Sequence, residues 1–422
     1  MPAPELRELD VYLAGRLVGH LTRPGSGRLA FQYAEEIVAE SPRGIVLSAS
    51  LPVEQARFSN ARARPFFEGL LPEGAIREQI ARERGVSVSN AFGLLAEIGA
   101  ECAGAVVIVP SGMEPAPPTT AAVRWLSPEE LEAALAALPS HPLGVGNDVR
   151  LSLGGMQQKL VVTRAPSGKF GQPLGGAPST HIIKPSLSGW EDIAANEAFC
   201  LRVAASCRLE SSRATVEVVG DTPCLIVERF DRTLSDDLRI ERVHQEDFCQ
   251  ALGLLPESKY EFEGGPAIAR IIATLRAISA RPAADVNAFI RAVGLNFLIG
   301  NSDGHGKNFA ILYDPDLGPR LAPLYDLVCT AVYNVTAKMA MRIGGEKDPS
   351  AVDEDAWRRL AGECGLNATL LLRDLRSLAE RVLRCADAVS RAAIAEGWHR
   401  PILDRIVEVI EHRAVLVTAK TQ

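Results

Sequence analysis

Paired cysteines are missing from this 422-residue chain. Its eight cysteines (Cys102, Cys200, Cys207, Cys224, Cys249, Cys329, Cys364 and Cys385) stand apart, and no two are spaced Cys-x-x-Cys. This excludes the commonest zinc spacings and argues against a disulfide framework. Cysteines scattered among apolar residues behave as small hydrophobes, so a reduced, cytoplasmic protein is expected. Long apolar runs are missing too. None approaches eighteen residues, and Met1 to Asp10 is acidic without an apolar core, so neither a membrane span nor secretion is expected. There is no cationic surplus: the net charge of −7 argues against a chain built as a whole to bind nucleic acid. A local basic strip stays open, because only eight of the 45 Lys and Arg residues are lysine. No internal repeat and no long low-complexity tract occurs.

With 47% hydrophobic and 23% charged residues, the composition suits a globular protein of two or three cores. Short strands are expected at Leu9–Leu13, Arg16–Leu21, Arg28–Tyr33 and Ile45–Leu51, the first two joined by a tight Ala14-Gly15 turn. Phe66 to Pro72 breaks the strand pattern, and helices follow around Ala75–Arg84 and Ala91–Glu97, with a strand at Ala105–Val109. Pro110 to Thr120, with four prolines, reads as a linker. Ser127-Pro128-Glu129-Glu130 opens a helix with its cap, its first-turn proline and its N3 glutamate in place. Strands then dominate to Phe230, interrupted by a helix over Asp192–Ser206 and by a loop over Ala165–Ser179. After Asp231 the chain reads as mostly helical. The expected architecture is α+β, a two-lobed protein-kinase-like fold with an extra N-terminal α+β subdomain and a mostly helical C-terminal lobe. The expected divisions are 1–110, 123–230 and 231–422.

The chemistry concentrates in Asn301-Ser302-Asp303-Gly304-His305-Gly306-Lys307-Asn308 and in Asp326. An acid, an amide five residues on and a second acid further along is the order protein kinases use for a base and two metal ligands. Asp303 is the candidate base. Asn308 and Asp326 offer hard oxygens suited to Mg2+, while Lys307 and His305 would offset charge on a transferred phosphoryl group. A plain polar turn accounts for the glycines, but not for Lys307-Asn308 entering a strand. The Walker-type motif is excluded, since position 301 is Asn rather than Gly and the residue after Lys307 is Asn rather than Ser or Thr. Lys184, ending an apolar strand, would neutralise ATP phosphates with Glu197 on the next helix as its positioning partner. Gly154-Gly155 in Arg150–Lys159 would let backbone amides approach phosphate, and Ser152 beside it is a phosphorylatable hydroxyl. Leu225 to Asp231 would form the connector that meets adenine. ATP is expected in the crevice between lobes.

Read together, RLSLGGMQQK, HIIKPS, NEAFC, VERFDR, RVHQEDFCQALG, NSDGHGKNFAIL and APLYD resemble HipA-type serine/threonine kinases, the toxins of bacterial toxin–antitoxin pairs. VYLAGRLVG, FFEGLLPEG and LLAEIGAECAGAV extend the resemblance, which runs from about residue 9 to about residue 345. It implies Asp303 as catalytic base and Asn308 and Asp326 on Mg2+. It also implies an ATP site lined by Gly154, Gly155, Met156, Gln157, Gln158, Lys159, Lys184, Glu228, Arg229, Phe230, His305, Gly306, Lys307, Asn308, Tyr325 and Asp326. Ser152 matches the family's autophosphorylated serine, whose modification displaces the phosphate loop and switches the kinase off. The resemblance further implies phosphorylation of an aminoacyl-tRNA synthetase, with growth arrest or persistence as the outcome. The implied partner is a HipB-like helix-turn-helix antitoxin that carries the complex onto operator DNA. Two other readings remain: a small-molecule or lipid kinase of similar layout, and a catalytically silent antitoxin-binding co-repressor. The intact Lys184, Asp303, Asn308 and Asp326 disfavour the last.

Overall fold

The computed structural model describes residues 6–24, 28–144, 150–154, 157–186, 189–234 and 239–418. β1 (Glu8–Leu13) and β2 (Arg16–Thr22) form the expected hairpin, with positive φ at both turn residues, Ala14 and Gly15. β3 (Ala30–Tyr33), α1 (Glu35–Glu40), α2 (Asn60–Gly69), α3 (Gly74–Glu83), α4 (Ala91–Ile98) and β4 (Val106–Pro110) follow. β5 (Val123–Trp125), α5 (Pro128–Ala136), β6 (Leu160–Arg164), β7 (Phe170–Pro173) and β8 (His181–Pro185) come next. Then run α6 (Ile193–Ser206), β9 (Ala214–Val219), β10 (Thr222–Glu228), β11 (Arg232–Leu234), β12 (Ile240–Arg242), β13 (His244–Asp247) and α7 (Phe248–Ala251). The last elements are α8 (Ile268–Ile278), α9 (Pro282–Leu298), β14 (Ala310–Asp314), β15 (Gly318–Leu321), α10 (Glu354–Glu363), α11 (Ala368–Ala395) and α12 (Arg400–Thr418).

The chain divides into two compact units. The first comprises Met1–Lys184, Glu228–Pro256 and Leu312–Pro315. Its N-terminal sheet is antiparallel in the order β3-β2-β1-β4, and buries an aromatic cluster of Phe31, Tyr33, Phe58, Phe66 and Phe67. Leu143, Leu151, Leu153 and Val161 pack into this same core, so the segment around the candidate phosphate loop is tied to the N-terminal sheet by apolar burial. A second antiparallel set places β6 between β7 and β8, with β5 outside β7. The cap opening α5 forms as expected: Ser127 and Glu130 make the reciprocal capping box and Pro128 is in the first turn.

The second unit comprises Pro185–Val227, Glu257–Ile311 and Asp316–Gln422. It is helical around α11, which packs on α12, α6, α10 and α9. The stripe that makes those contacts, Leu371, Leu375, Leu378, Val382, Ala386, Val389 and Ala393, recurs at three- and four-residue steps, the period of one helix face. Among the described residues, no helix is long and apolar enough to cross a membrane.

Four local expectations change. Ile45–Leu51 is irregular rather than a strand, because its backbone and hydroxyls bond side chains: Ala49 N and Ser48 Oγ both donate to Glu246. The stretch around Phe66 is the end of a helix, α2, despite Pro65 inside it; Ala63, Phe66 and Phe67 share its buried face, and that burial outweighs one lost hydrogen bond. Ala165–Ser179 contains β7, where Gly171 lies so close to β5 that a Cβ would meet Val123 Cγ1 at 2.4 Å. Arg232–Leu234, Ile240–Arg242 and His244–Asp247, expected to be helical, form the short strands β11, β12 and β13.

Candidate active site

The second unit holds the acid–amide–acid set. α9 ends in a Schellman turn: Asn301 N donates to Asn296 O at 2.9 Å, Gly300 N donates to Phe297 O at 3.2 Å, and Gly300 takes φ +71. This turn aims the chain into the loop. Asn301 then braces it from within, its Nδ2 donating to Asn296 Oδ1 at 2.7 Å and its Oδ1 accepting from Asp303 N at 3.0 Å. Gly304 faces Asn296, where a Cβ would sit 3.4 Å from Cγ. Ser302 N is held by Thr330 Oγ1 at 2.8 Å. A carboxylate on a loop braced at this many points loses little orientation freedom, which is what a general base needs.

Asp303 itself is exposed, and its Oδ1 accepts from Tyr260 Oη at 2.8 Å. The Tyr260 ring stands edge-on to His305, with centroids 5.2 Å apart. His305 is buried and caps a single 3-10 turn over Gly306–Asn308, where Asn308 Oδ1 accepts from His305 N at 3.2 Å. Gly306 N donates to the carbonyl of Lys259 at 3.2 Å. The Asn308 amide nitrogen lies 3.5 Å from Asp326 Oδ2, so the two proposed metal ligands meet. Asp326 adopts φ +51, a left-handed conformation uncommon outside glycine and asparagine, and a recognised location of stored strain at functional sites. Tyr325 Oη donates to Lys307 O at 2.6 Å and ties the Asp326 segment to the loop. Asp303, His305, Gly306, Lys307, Asn308, Tyr325 and Asp326 thus form one cluster.

The first unit holds the other expected groups. Lys184 ends β8, which pairs with β6 through Ile183 and Leu160, and is buried at 6% exposure. Glu197 belongs to the second unit, buried on α6. Lys159 Nζ donates to Gly154 O at 2.5 Å, and Gln157 and Gln158 are half-buried. Gly155 and Met156 lie outside the described residues. Ser152 is wholly buried: its Oγ donates to Leu70 O and its N to Glu101 O, both at 2.8 Å.

Arg229 takes a part that the connector expectation does not contain. Its N donates to Thr180 O at 2.9 Å, but its side chain is buried among Glu101, Asp231, Ser179 and the Cys102 carbonyl. Arg232 and Arg242 bond the same Glu101. Burial opposes ionisation of Glu101, yet Arg232, Arg242 and Arg229 together outweigh it and hold its pKa at about 2. Asp231 is likewise held below its usual range, burial being overcome by Arg229 and Arg232. The guanidinium of Arg229 is therefore fully committed to protein.

The description HipA-like C-terminal domain matches residues 151–393, and HipA N-terminal domain matches residues 9–109. The chain belongs to the HipA family. A Sinorhizobium fredii protein with a provisional kinase name, Y4mE, is 40% identical over 393 residues, covering 92% of each chain. The serine/threonine-protein kinase toxin HipA of Shewanella oneidensis is 29% identical over 389 residues, 89% of this chain and 87% of that one. The solved complex of Shewanella oneidensis HipA with HipB and operator DNA superposes with a TM-score of 0.83 at 26% identity, covering 96% of both chains. The fold is accordingly the α+β, kinase-like fold of HipA.

Three features of this HipA-family chain escape sequence reasoning. Tyr260 and Lys259 stand more than forty residues before Asp303, and a single tyrosine carries no motif. Leu70 contributes only a carbonyl, which no side-chain pattern reports. Glu101 escapes too, although one signal could have found it: a lone acid between Ala100 and Cys102 must be paired if buried.

Proposed function

We propose that this chain is an ATP- and Mg2+-dependent protein serine/threonine kinase acting as the toxin of a toxin–antitoxin pair. The observation that carries the reading is the second-unit cluster, in which Asp303 is oriented by Tyr260 and Asn301 while Asn308 and Asp326 meet at 3.5 Å. Asp303 would accept the proton of the acceptor hydroxyl as its oxygen attacks the γ-phosphorus. Asn308 and Asp326 fit a hard cation: both offer oxygen, and the strained Asp326 backbone holds its carboxylate at the amide. They would hold Mg2+ once the amide turns its oxygen from His305 N toward Asp326. Bound Mg2+ supplies charge neutralisation on the β- and γ-phosphates. Lys184, with Glu197 as its partner, would steady the phosphates, and Gly154 to Lys159 would cover them.

Family membership supports a HipB-like helix-turn-helix antitoxin as partner, operator DNA through that antitoxin, and an aminoacyl-tRNA synthetase as substrate. Autophosphorylation at Ser152 would switch the kinase off. The geometry gives that step a cost, since a wholly buried hydroxyl bonded to Leu70 O must leave its place before it meets ATP.

Purified protein incubated with radiolabelled ATP and Mg2+ tests the reading. Label is expected on Ser152 and is expected to fall at least 100-fold in Asp303→Ala. Protein that binds ATP and Mg2+ yet never becomes labelled, or that labels a lipid or metabolite from lysate instead of a protein, overturns it.

A further inference from the structure

The second unit contains a cavity of about 490 Å³ that the kinase chemistry does not use. It lies between α9 and α11. The two helices close on each other at Gly294, where a Cβ would lie 2.7 Å from Leu375 Cδ1 and 3.3 Å from Leu378 Cδ2. Toward the start of α9 they leave space. Val286 and Ile290 line one wall, Leu371, Leu375 and Leu378 the other, and Trp357 of α10 a third. Leu370 stands at the rim, 48% exposed. The volume lies within the ~300–1,000 Å³ typical of small-molecule pockets, and the largely apolar lining with a few polar groups is the usual composition.

Two of those polar groups are cationic. Arg276 and Arg291 both line the cavity, against the single carboxylate of Asp374. Arg291 donates to the Cys207 carbonyl at 3.2 Å, and Arg381 donates to that same carbonyl at 3.3 Å. Burial and the neighbouring Arg381 push the Arg291 pKa below its ordinary value, only partly offset by Asp374 and Cys207. Trp357 is 2% exposed, and among the described residues its indole N–H has no acceptor.

We propose that this cavity is a binding site for a small amphiphile with an apolar body and one anionic head, the chemistry of a medium-chain carboxylate. The body takes the place of water against Val286, Ile290, Leu371 and Leu375. The head is drawn by Arg276 and Arg291. The site is independent of phosphoryl transfer, so its test needs neither ATP nor activity.

Titration calorimetry of the full chain with octanoate, and with neutral 1-octanol, decides the matter. Octanoate is expected to bind saturably at one per chain, at least tenfold tighter than 1-octanol. Ala283→Trp, which fills the cavity from the first turn of α9, is expected to abolish binding of both. Arg291→Gln is expected to weaken octanoate about tenfold and leave 1-octanol unchanged. Because Arg291 also holds Cys207 O, Arg276→Gln on the exposed side repeats that test. Absence of saturable octanoate binding overturns the proposal, as does equal binding of octanoate and 1-octanol or unaltered binding by Ala283→Trp. Sedimentation velocity covers the remaining occupant: a dimer that Ala283→Trp converts to monomer makes this face an interface between copies and also overturns it.

Discussion

Tyr260 and Glu101 are single residues whose partners define their work. The Tyr260 hydroxyl donates to a carboxylate oxygen of Asp303, which makes it a positioning residue for the proposed base. Tyr260→Phe is expected to lower kcat about three- to tenfold with KM for ATP unchanged, because an oriented base matters only as the proton moves. Steady-state kinetics with both substrates varied reads that split. Glu101 sits under three guanidiniums with 1% exposure. Removing its charge leaves buried cations uncompensated, so Glu101→Gln is expected to destabilise by about 3–5 kcal/mol. Urea denaturation measures this, with the slope against denaturant unchanged if the native fold persists.

Among elements, the segment Leu151–Leu153 is held from two sides. Leu151 and Leu153 insert into the core of the N-terminal sheet, while Ser152 between them turns its hydroxyl to Leu70 O. Ser152→Ala is expected to leave the loop seated, at about 1 kcal/mol from one lost hydrogen bond. Ser152→Asp sets a carboxylate against a carbonyl oxygen in a dry site, which neither room nor hydrogen bonding accommodates. The loop is then expected to leave. Hydrogen exchange over residues 150–154 should speed sharply in the aspartate variant and stay slow in the alanine variant. The loop from Asn301 to Asn308 depends on its preceding helix in the same way, for the Schellman turn at Asn296–Asn301 decides where Asp303 begins.

Across the first unit, Glu246 joins segments far apart in sequence. Its carboxyl accepts from Ser48 Oγ, Ala49 N and Tyr313 Oη at 2.5, 2.9 and 2.5 Å. Burial raises its pKa to about 7, only partly countered by those hydrogen bonds. A carboxyl whose folded pKa exceeds its unfolded value of 4.5 contributes stability that is full below pH 4.5 and is lost as pH rises through about 7. His244 alongside is held near 4, chiefly by burial, and titrates with the opposite sign between 6.5 and 4. The difference between wild type and Glu246→Gln isolates the carboxyl: wild-type stability should decline relative to the variant between pH 4.5 and 7. Thermal unfolding across that range checks it; parallel curves would sink the assignment.

The sequence by itself determined what local chemistry dictates. The grouping of Asp303, Asn308 and Asp326 was legible because their order and intervals are those that a base and two metal ligands would need. The Ser127 cap and the Ala14-Gly15 hairpin were legible because turn and cap geometry is local. Tertiary structure decided whatever depends on a distant partner. Arg229 reads as connector and proves to be the counter-ion of Glu101, 128 residues away. Ser48–Leu51 reads as strand but bonds Glu246 instead, and Phe66–Gly69 completes a helix because the aromatic core rewards its burial. A motif records what one segment can do; only the packed chain fixes which groups lose water together, and burial sets the charge and the freedom of each.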